Sequence, residues 1–333
     1  MGTVSFIAKR LLQYFAVLFI GISITFLLPR LMPVNPVDTY IGELQSRASS
    51  TLDPEGIAEL RRNLEQLYGL NGTLWDQYVS YMTRVIFHFD FGPSYSYFPL
   101  PVTNMLAEAI PWTMGLLLTA TVIAWTLGNA VGLVAGYFYK KRAATVLEFV
   151  GILLYPIPYY VLAITVLMLF AYIFPIFPLS ATFPTGDLTF QKLGTIIYNS
   201  LLPGTALVLA GFGWNILSMK ALAIATIEEP YVTFARLKGT TNRTRMLRYV
   251  FRNALLPQVT ALALSLGLIF NGALLTEIIF SYPGIGLIMR QAASAGDYNV
   301  LYGAITVSIF AVATAALIID LTYPLLDPRI RHR

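Results

Sequence analysis

The stretch of this chain whose residue types and spacing are best suited to a task is Glu228-Glu229-Pro230-Tyr231-Val232-Thr233-Phe234-Ala235-Arg236-Leu237-Lys238-Gly239. Pro230 fits the first position of a helix, and the two acids before it suit the positive end of the helix dipole. Ala235 and Gly239 lie four apart and are expected to share one face, where small side chains let another surface approach closely. Gly239 is placed to end the helix. A basic amphipathic stretch, Arg243–Arg252, then leads to Leu255-Leu256-Pro257. The implied chemistry is mechanical, a short helix offered to a partner. On charge alone, a basic loop lying on anionic lipid headgroups fits as well. The short helix, the small face and the terminal glycine favour docking onto protein.

Covalent chemistry has little to work with. The 333 residues include no Cys and only two His, His88 and His332. There is no G-x-x-x-x-G-K-[ST] to cradle a nucleotide's phosphates, no H-E-x-x-H and no G-x-S-x-G. No cofactor or metal is therefore expected in this chain. An intramembrane enzyme would need a nucleophile–base pair or metal ligands at depth, and the long apolar stretches hold neither His nor Cys. Glu148, Glu277 and Asp320 sit near the ends of those stretches, where water or headgroups are expected to reach them. Asn271-Gly272 is a polar, small pair that either lines a pathway or packs against a neighbouring helix. Pro156 and Pro158 are expected to kink their stretch. Pro283-Gly284 reads as a turn. Asp297 reads as the N-cap of the last apolar stretch rather than a ligand.

These residues must be positioned by membrane helices. The chain is 56% hydrophobic and 12% charged, about half the charge of a soluble domain. Disorder is excluded by the same figures. A helix needs about 20 apolar residues to cross the bilayer, and six stretches qualify: Leu11–Leu28, Trp112–Tyr139, 149–173, Leu193–Met219, Asn253–Thr276 and Tyr298–Ile319. The apolar core of the first exceeds that of a signal peptide, with no small-residue cleavage site after it, so it reads as an uncleaved anchor. In a six-span arrangement 15 of the 22 Lys and Arg fall on one side. The positive-inside rule makes that side cytoplasmic, with both termini inside. The basic balance is thereby explained without nucleic acid. Residues 31–110 form an outer segment with nine acids against five bases, Arg30 included. Asp53-Pro54-Glu55 opens a helix whose apolar face is Ile57, Leu60, Leu64 and Leu67, ended by Gly69; a second helix is expected over Thr73–Phe87. Two short helices bury too little to fold alone, so they are expected to pack on the membrane helices. The segment serves as a structural cap or as a docking surface.

The order Tyr231-Val232-x-x-Ala235-Arg236-x-Lys238-Gly239, then Arg252-Asn253-Ala254-Leu255-Leu256-Pro257, resembles the EAA loop of binding-protein-dependent ABC importer permeases. More closely it is similar to the B-type permease subunit of the oligopeptide/dipeptide family. Asp90-Phe91-Gly92-Pro93-Ser94, Pro111-x-Thr113, Tyr282-Pro283-Gly284-Ile285-Gly286, Asp297-Tyr298 and Asp327-Pro328-Arg329 agree in order along nearly the whole chain. Thr233-Phe234-Ala235 stands where the general motif has Glu-Ala-Ala, so no glutamate role carries over.

The resemblance implies an all-α integral membrane protein of the type I importer kind, with six transmembrane helices and a helical extracytoplasmic insertion between the first two. Its parts would be 1–30 with the first span, the insertion 31–110, a core 111–325 containing the coupling loop 220–256, and a cytoplasmic tail 326–333. It would sit in a prokaryotic inner or plasma membrane and import peptides, or oligosaccharides as in similar permeases. A homologous second permease would share the pathway. Two ABC ATPase subunits would bind ATP and Mg, and an extracytoplasmic binding protein would deliver substrate. Glu229, Tyr231, Ala235, Arg236, Lys238, Gly239 and Arg243 would dock the ATPase, while Asn271, Gly272, Pro283, Gly284 and Asp297 would lie near the pathway or gate. An ion-coupled secondary transporter is the rival class; it predicts an internal repeat and broken helices.

Overall fold

The computed structural model describes residues 3–31, 37–38, 41–42, 45, 54–67, 69–180, 182–183, 189–267 and 269–326. The expected cap Asp53 and the landmark Asp327-Pro328-Arg329 lie outside them, as does the tail beyond Leu326. Among the described residues the main helices, in chain order, are α1 (Thr3–Arg30), α2 (Pro54–Leu67), α3 (Leu74–Thr83), α4 (Val102–Tyr137), α5 (Arg142–Leu154), α6 (Tyr159–Leu167), α7 (Phe190–Ile227), α8 (Pro230–Leu237), α9 (Arg252–Gly267), α10 (Ile269–Phe280), α11 (Ile285–Ala295) and α12 (Tyr298–Leu326), with a single turn at Asn242–Thr244. Wider π-helical turns continue α3 through Arg84–His88 and α6 through Met168–Ile173, and a third, Arg245–Phe251, leads into α9. Among the described residues there is no strand beyond an isolated bridge between Pro93 and Pro101.

The protein is an all-α, multi-span membrane protein. Ser5–Leu27, Val102–Tyr137, Phe190–Ile227 and Tyr298–Thr322 are each long and apolar enough to cross a membrane. The helix pair Arg142–Leu154 and Tyr159–Ile173, bent by 100°, passes the same test as a unit, either as a broken span or as a re-entrant loop. The bend falls at Pro156 and Pro158, which remove backbone donors there. It also starts earlier than the sequence suggested, at Arg142 rather than 149. The stretch Asn253–Thr276 falls on α9 and α10, of 16 and 12 residues, and residue 268 between them lies outside the described residues.

The chain divides into two compact units, Met1–Trp112 with Pro283–Leu317, and Thr113–Tyr282 with Ile318–Arg333. In the first unit, Thr73 and Asp76 form a capping box at the start of α3. The Thr73 hydroxyl and backbone N–H hold the Asp76 carboxyl below its ordinary range. Gly69 takes a positive φ of 64°, and Leu70 N–H donates to the Glu65 carbonyl (2.8 Å), closing α2. The α2 face Ile57, Leu60 and Leu64 packs with Val37, Ile41 and Tyr95. α3 packs on α1: the Tyr78 hydroxyl meets Ser23 Oγ at 2.8 Å, and its ring stands edge-on to Phe26.

The second unit is organised around α7. Three glycines of α4, four residues apart, face it. A Cβ on Gly132 would lie 2.5 Å from the Ile216 carbonyl oxygen, and one on Gly128 2.5 Å from the Asn215 Cβ. One on Gly136 would lie 2.7 Å from both the Lys220 carbonyl and the Ala223 Cβ. From the other side, a Cβ on Gly213 would lie 2.8 Å from the Tyr155 backbone nitrogen. Such small-residue stripes let helix backbones touch where lipid gives no hydrophobic drive. Glu148 of α5 and Lys220 of α7 form an ion pair across the same interface. α7 is 38 residues long, about 57 Å at 1.5 Å per residue. It therefore outruns the bilayer, and the link expected to open as a loop at Lys220 begins as helix.

Gly132→Ala is expected to destabilise the protein by about 1–3 kcal/mol, because the obstructing atom is backbone and cannot rotate away. Gly115→Ala, whose Cβ would meet nothing within 4 Å, is expected to be neutral or slightly stabilising. Thermal unfolding of both variants in detergent checks the contrast.

Candidate docking site

α8 follows α7 after only Glu228 and Glu229. Pro230 opens it as expected, with Glu229 in extended conformation ahead of it. Its end is built by Gly239, whose φ of +71° puts it in the left-handed region. There Gly239 N–H donates to the Arg236 carbonyl (3.0 Å), and both the backbone N–H and the hydroxyl of Thr240 donate to the Ala235 carbonyl. Arg245 clamps this exit. Its guanidinium bonds the Thr240 carbonyl and the Asn242 side chain, and its Nε donates to the Tyr137 hydroxyl at 3.4 Å. Neighbouring Arg243, expected from the sequence to dock the ATPase, is exposed, whereas Arg245 was not singled out. The missed signal is helical spacing: position 245 faces back toward 242.

The orientation of α8 corrects one expectation. Ala235 is 2% exposed and Val232 5%, so of the two small residues only Gly239 is open to another surface. Val232 packs with Leu133, Met219, Ala223, Val250 and Ala254 of the same unit. The face turned outward carries Tyr231, Phe234 (58% exposed) and Leu237 (81%), three residues apart. Arg236, Lys238, Gly239 and Glu229 are exposed around them. Lys238 Nζ lies 4.7 Å from the centre of the Phe234 ring. Burial and the Glu229 charge push the Tyr231 phenol above its ordinary value. The sequence signal for Phe234 and Leu237 is their apolar i, i+3 spacing with Tyr231.

Two cavities flank this helix. One, of about 690 Å³, is lined by Thr226, Glu229, Tyr231, Arg252, Asn253 and Pro257, among others. The other, of about 420 Å³, is lined by Tyr137, Lys140, Lys141, Thr233, Arg236 and Arg245, among others. The site is thus an apolar ridge between two recesses edged with cations, a shape that a partner with a groove and acidic edges can grip.

The remaining candidates fall elsewhere. Asn271 and Gly272 lie on α10, with side chains outside the described residues. Pro283 and Gly284 form the turn before α11, where Gly284 is the extended N-cap residue. Glu277 is fully buried, against the expectation that water or headgroups reach it. The Thr113 hydroxyl donates to its Oε1 at 2.6 Å. Next to it, the Thr276 and Tyr159 hydroxyls lie 2.7 Å apart. In the first unit, Asp297 is 1% exposed and caps α12 by accepting from Val300 N–H. Its other oxygen accepts from the Ser94 hydroxyl (2.5 Å) and the Ser96 N–H (3.0 Å), and Asn299 donates to the Pro93 carbonyl (2.9 Å). The landmarks at 90–94 and 297–298, some 200 residues apart in sequence, therefore meet.

An all-helical, multi-span chain that presents a short helix from the end of a tightly packed span has the build of the membrane subunit of a transport system. The chain belongs to the family of binding-protein-dependent transport system inner membrane components, which matches residues 128–332. It is accordingly a multi-pass inner-membrane permease component. It is 30% identical to the oligopeptide transport system permease protein OppB of Escherichia coli K12, over 98% of this chain and 99% of that protein. OppB of Haemophilus influenzae is 29% identical over the same shares. The dipeptide transport system permease protein DppB of Lactococcus lactis is 26% identical, again over 98% and 99%.

Asp297→Ala removes a cap and two bonds at once and is expected to cost about 2–4 kcal/mol. The readouts are a lowered thermal midpoint in detergent and new protease cleavage within 93–101. Unchanged values in both would show that the 93–101 loop is held by other contacts.

Proposed function

We propose that this chain is one of the two membrane subunits of an ATP-driven importer for oligopeptides or dipeptides. It forms half of the pathway beside a homologous second permease. Its loop, centred on α8, docks into one of two ATPase subunits, which bind ATP and Mg. A binding protein outside the membrane delivers the substrate. Both termini lie in the cytoplasm, the side to which the Lys/Arg excess of the loops assigns them. The chain itself performs no covalent chemistry.

The observation that carries this reading is the outward face of α8. An apolar ridge of Tyr231, Phe234 and Leu237 stands exposed on a helix whose other face is buried. Ends of membrane spans in water do not keep such a ridge bare without a partner to cover it. The names of the relatives support peptides as the substrate class. In this arrangement Gly239 and Arg245 fix the helix's exit, Arg236 and Lys238 supply rim charge, and Ala235 acts by letting α8 sit close on its own unit.

Replacing Phe234 and Leu237 together by Asp is expected to leave the amount of protein in the membrane unchanged. Recovery of the ATPase with the tagged chain, and ATP-dependent uptake of a labelled tripeptide, are both expected to fall at least tenfold. Full ATPase recovery by this variant removes α8 as the docking element. Uptake of an oligosaccharide but not of the tripeptide by the wild-type system moves the substrate class and leaves the docking intact.

A further inference from the structure

A second site lies in the first unit, apart from the docking helix and from anything assigned above. A cavity of about 60 Å³ is lined by Arg30, Arg84, Tyr81, Asp90, Tyr95 and Tyr302, among others. A water molecule's share of liquid volume is about 30 Å³, so the cavity has room for two waters or for one carboxylate group. Its chemistry is that of an anion site. Two arginines line it, and among the described residues only one acid, Asp90, lines it with them. Asp90 is already engaged, accepting from the Gly92 N–H at 2.9 Å.

The two arginines differ in how well they are held. Arg30 is fixed on every side: its Nε donates to Gln77 (3.1 Å), one Nη to the Phe26 carbonyl (3.0 Å), and its plane lies 3.6 Å from the centre of the Phe26 ring. Burial pulls its pKa below the ordinary value, and the Arg84 charge acts in the same direction. The Nε of Arg84 is buried and has no acceptor. A buried N–H of a cation without an acceptor costs more than a neutral one, and two like charges sharing a half-buried pocket add to it. Both penalties are relieved by one group, a planar anion with two oxygens.

The geometry points to a binding site for a single carboxylate group between Arg30 and Arg84. A guanidinium edge matches a carboxylate with two parallel bonds. Among the described lining residues the charges sum to one net positive, which suits a monoanion and disfavours a phosphate dianion. The inference does not depend on the importer reading. It leaves two sources for the group, the terminal carboxylate of a free peptide or an acidic side chain of a partner protein.

The test is thermal unfolding of the purified full-length chain in mild detergent, titrated with sodium acetate, sodium chloride at equal ionic strength, or acetamide, acetate's neutral isostere. Acetate at about ten times its dissociation constant is expected to raise the midpoint by about 2–4 °C, saturably, while chloride and acetamide do not. Arg84→Gln is expected to abolish the rise. Arg84→Lys, which keeps the charge but loses the paired N–H edge, is expected to reduce it. An acetate effect no larger than that of chloride or acetamide overturns the site, as does an undiminished effect in both variants. The wild-type comparison decides even if Arg84→Gln does not fold. Trialanine and its C-terminal amide then separate the sources. A rise with the acid alone assigns the group to a peptide terminus, whereas a rise with acetate but with neither peptide assigns it to a partner's side chain.

Discussion

The close approach of α4 to α7 is the contact on which the second unit depends. In a membrane, helices gain little from hiding apolar surface, since lipid is as apolar as leucine. They hold together by dispersion and backbone proximity, and that requires side chains small enough to let backbones meet. Gly128, Gly132 and Gly136 supply this on α4, and Gly213 repeats it where α7 meets the bend after α5. α7 is therefore packed on two sides by backbone rather than by flexible side chains. α8 leaves its end after two residues. Whatever α8 does, it does from a rod that cannot easily change its packing in small steps.

The Arg245 clamp has its meaning in that context. A short helix joined to a rod by two residues would swing freely if its far end were loose. Gly239 turns the chain in a conformation that other residues adopt only with strain, and Arg245 fastens the turn to Thr240, Asn242 and Tyr137. Val232 and Ala235 press the inner face onto the unit's own core. The helix is thus held at both ends and along one side, with only its outer ridge free. Under the proposed docking, a push on that ridge would reach α7 as a rigid-body displacement, the mode by which packed elements transmit a switch.

Much of this was legible in the sequence because it is local. The apolar runs announce the spans by length. Pro230, Gly239, Thr73 and Gly69 mark helix ends through the backbone geometry each permits, and the structure uses all four. Pro156 and Pro158 mark the bend. What was not legible is which side of a short element faces the molecule. Helical spacing predicts that Ala235 has a face, but only tertiary packing decides that this face is inward and that Phe234 and Leu237 look out. Glu277 failed for the same reason. Its distance along the span suggested contact with water, yet the neighbours that enclose it, Thr113 among them, come from other parts of the chain. The glycine stripe at 128, 132 and 136 carries a signal only in its i, i+4, i+8 spacing, since each glycine taken singly reads as noise.

The contact between Asp297 and Ser94 shows why order along a chain can carry information that no single residue does. Asp-Phe-Gly-Pro-Ser and Asp-Tyr are weak patterns alone. In the folded unit one acid serves both: Asp297 caps its own helix with one oxygen and fastens the 93–101 loop with the other. A carboxylate that makes three bonds in a buried place cannot be exchanged for a shorter or neutral group without leaving donors unpaired. Gly92 is tied to the same junction, since a Cβ there would stand 3.0 Å from the Asn299 amide that bonds Pro93. The two landmarks are therefore one structural device split by the intervening spans. Their joint occurrence reports a three-dimensional junction rather than two separate coincidences of sequence.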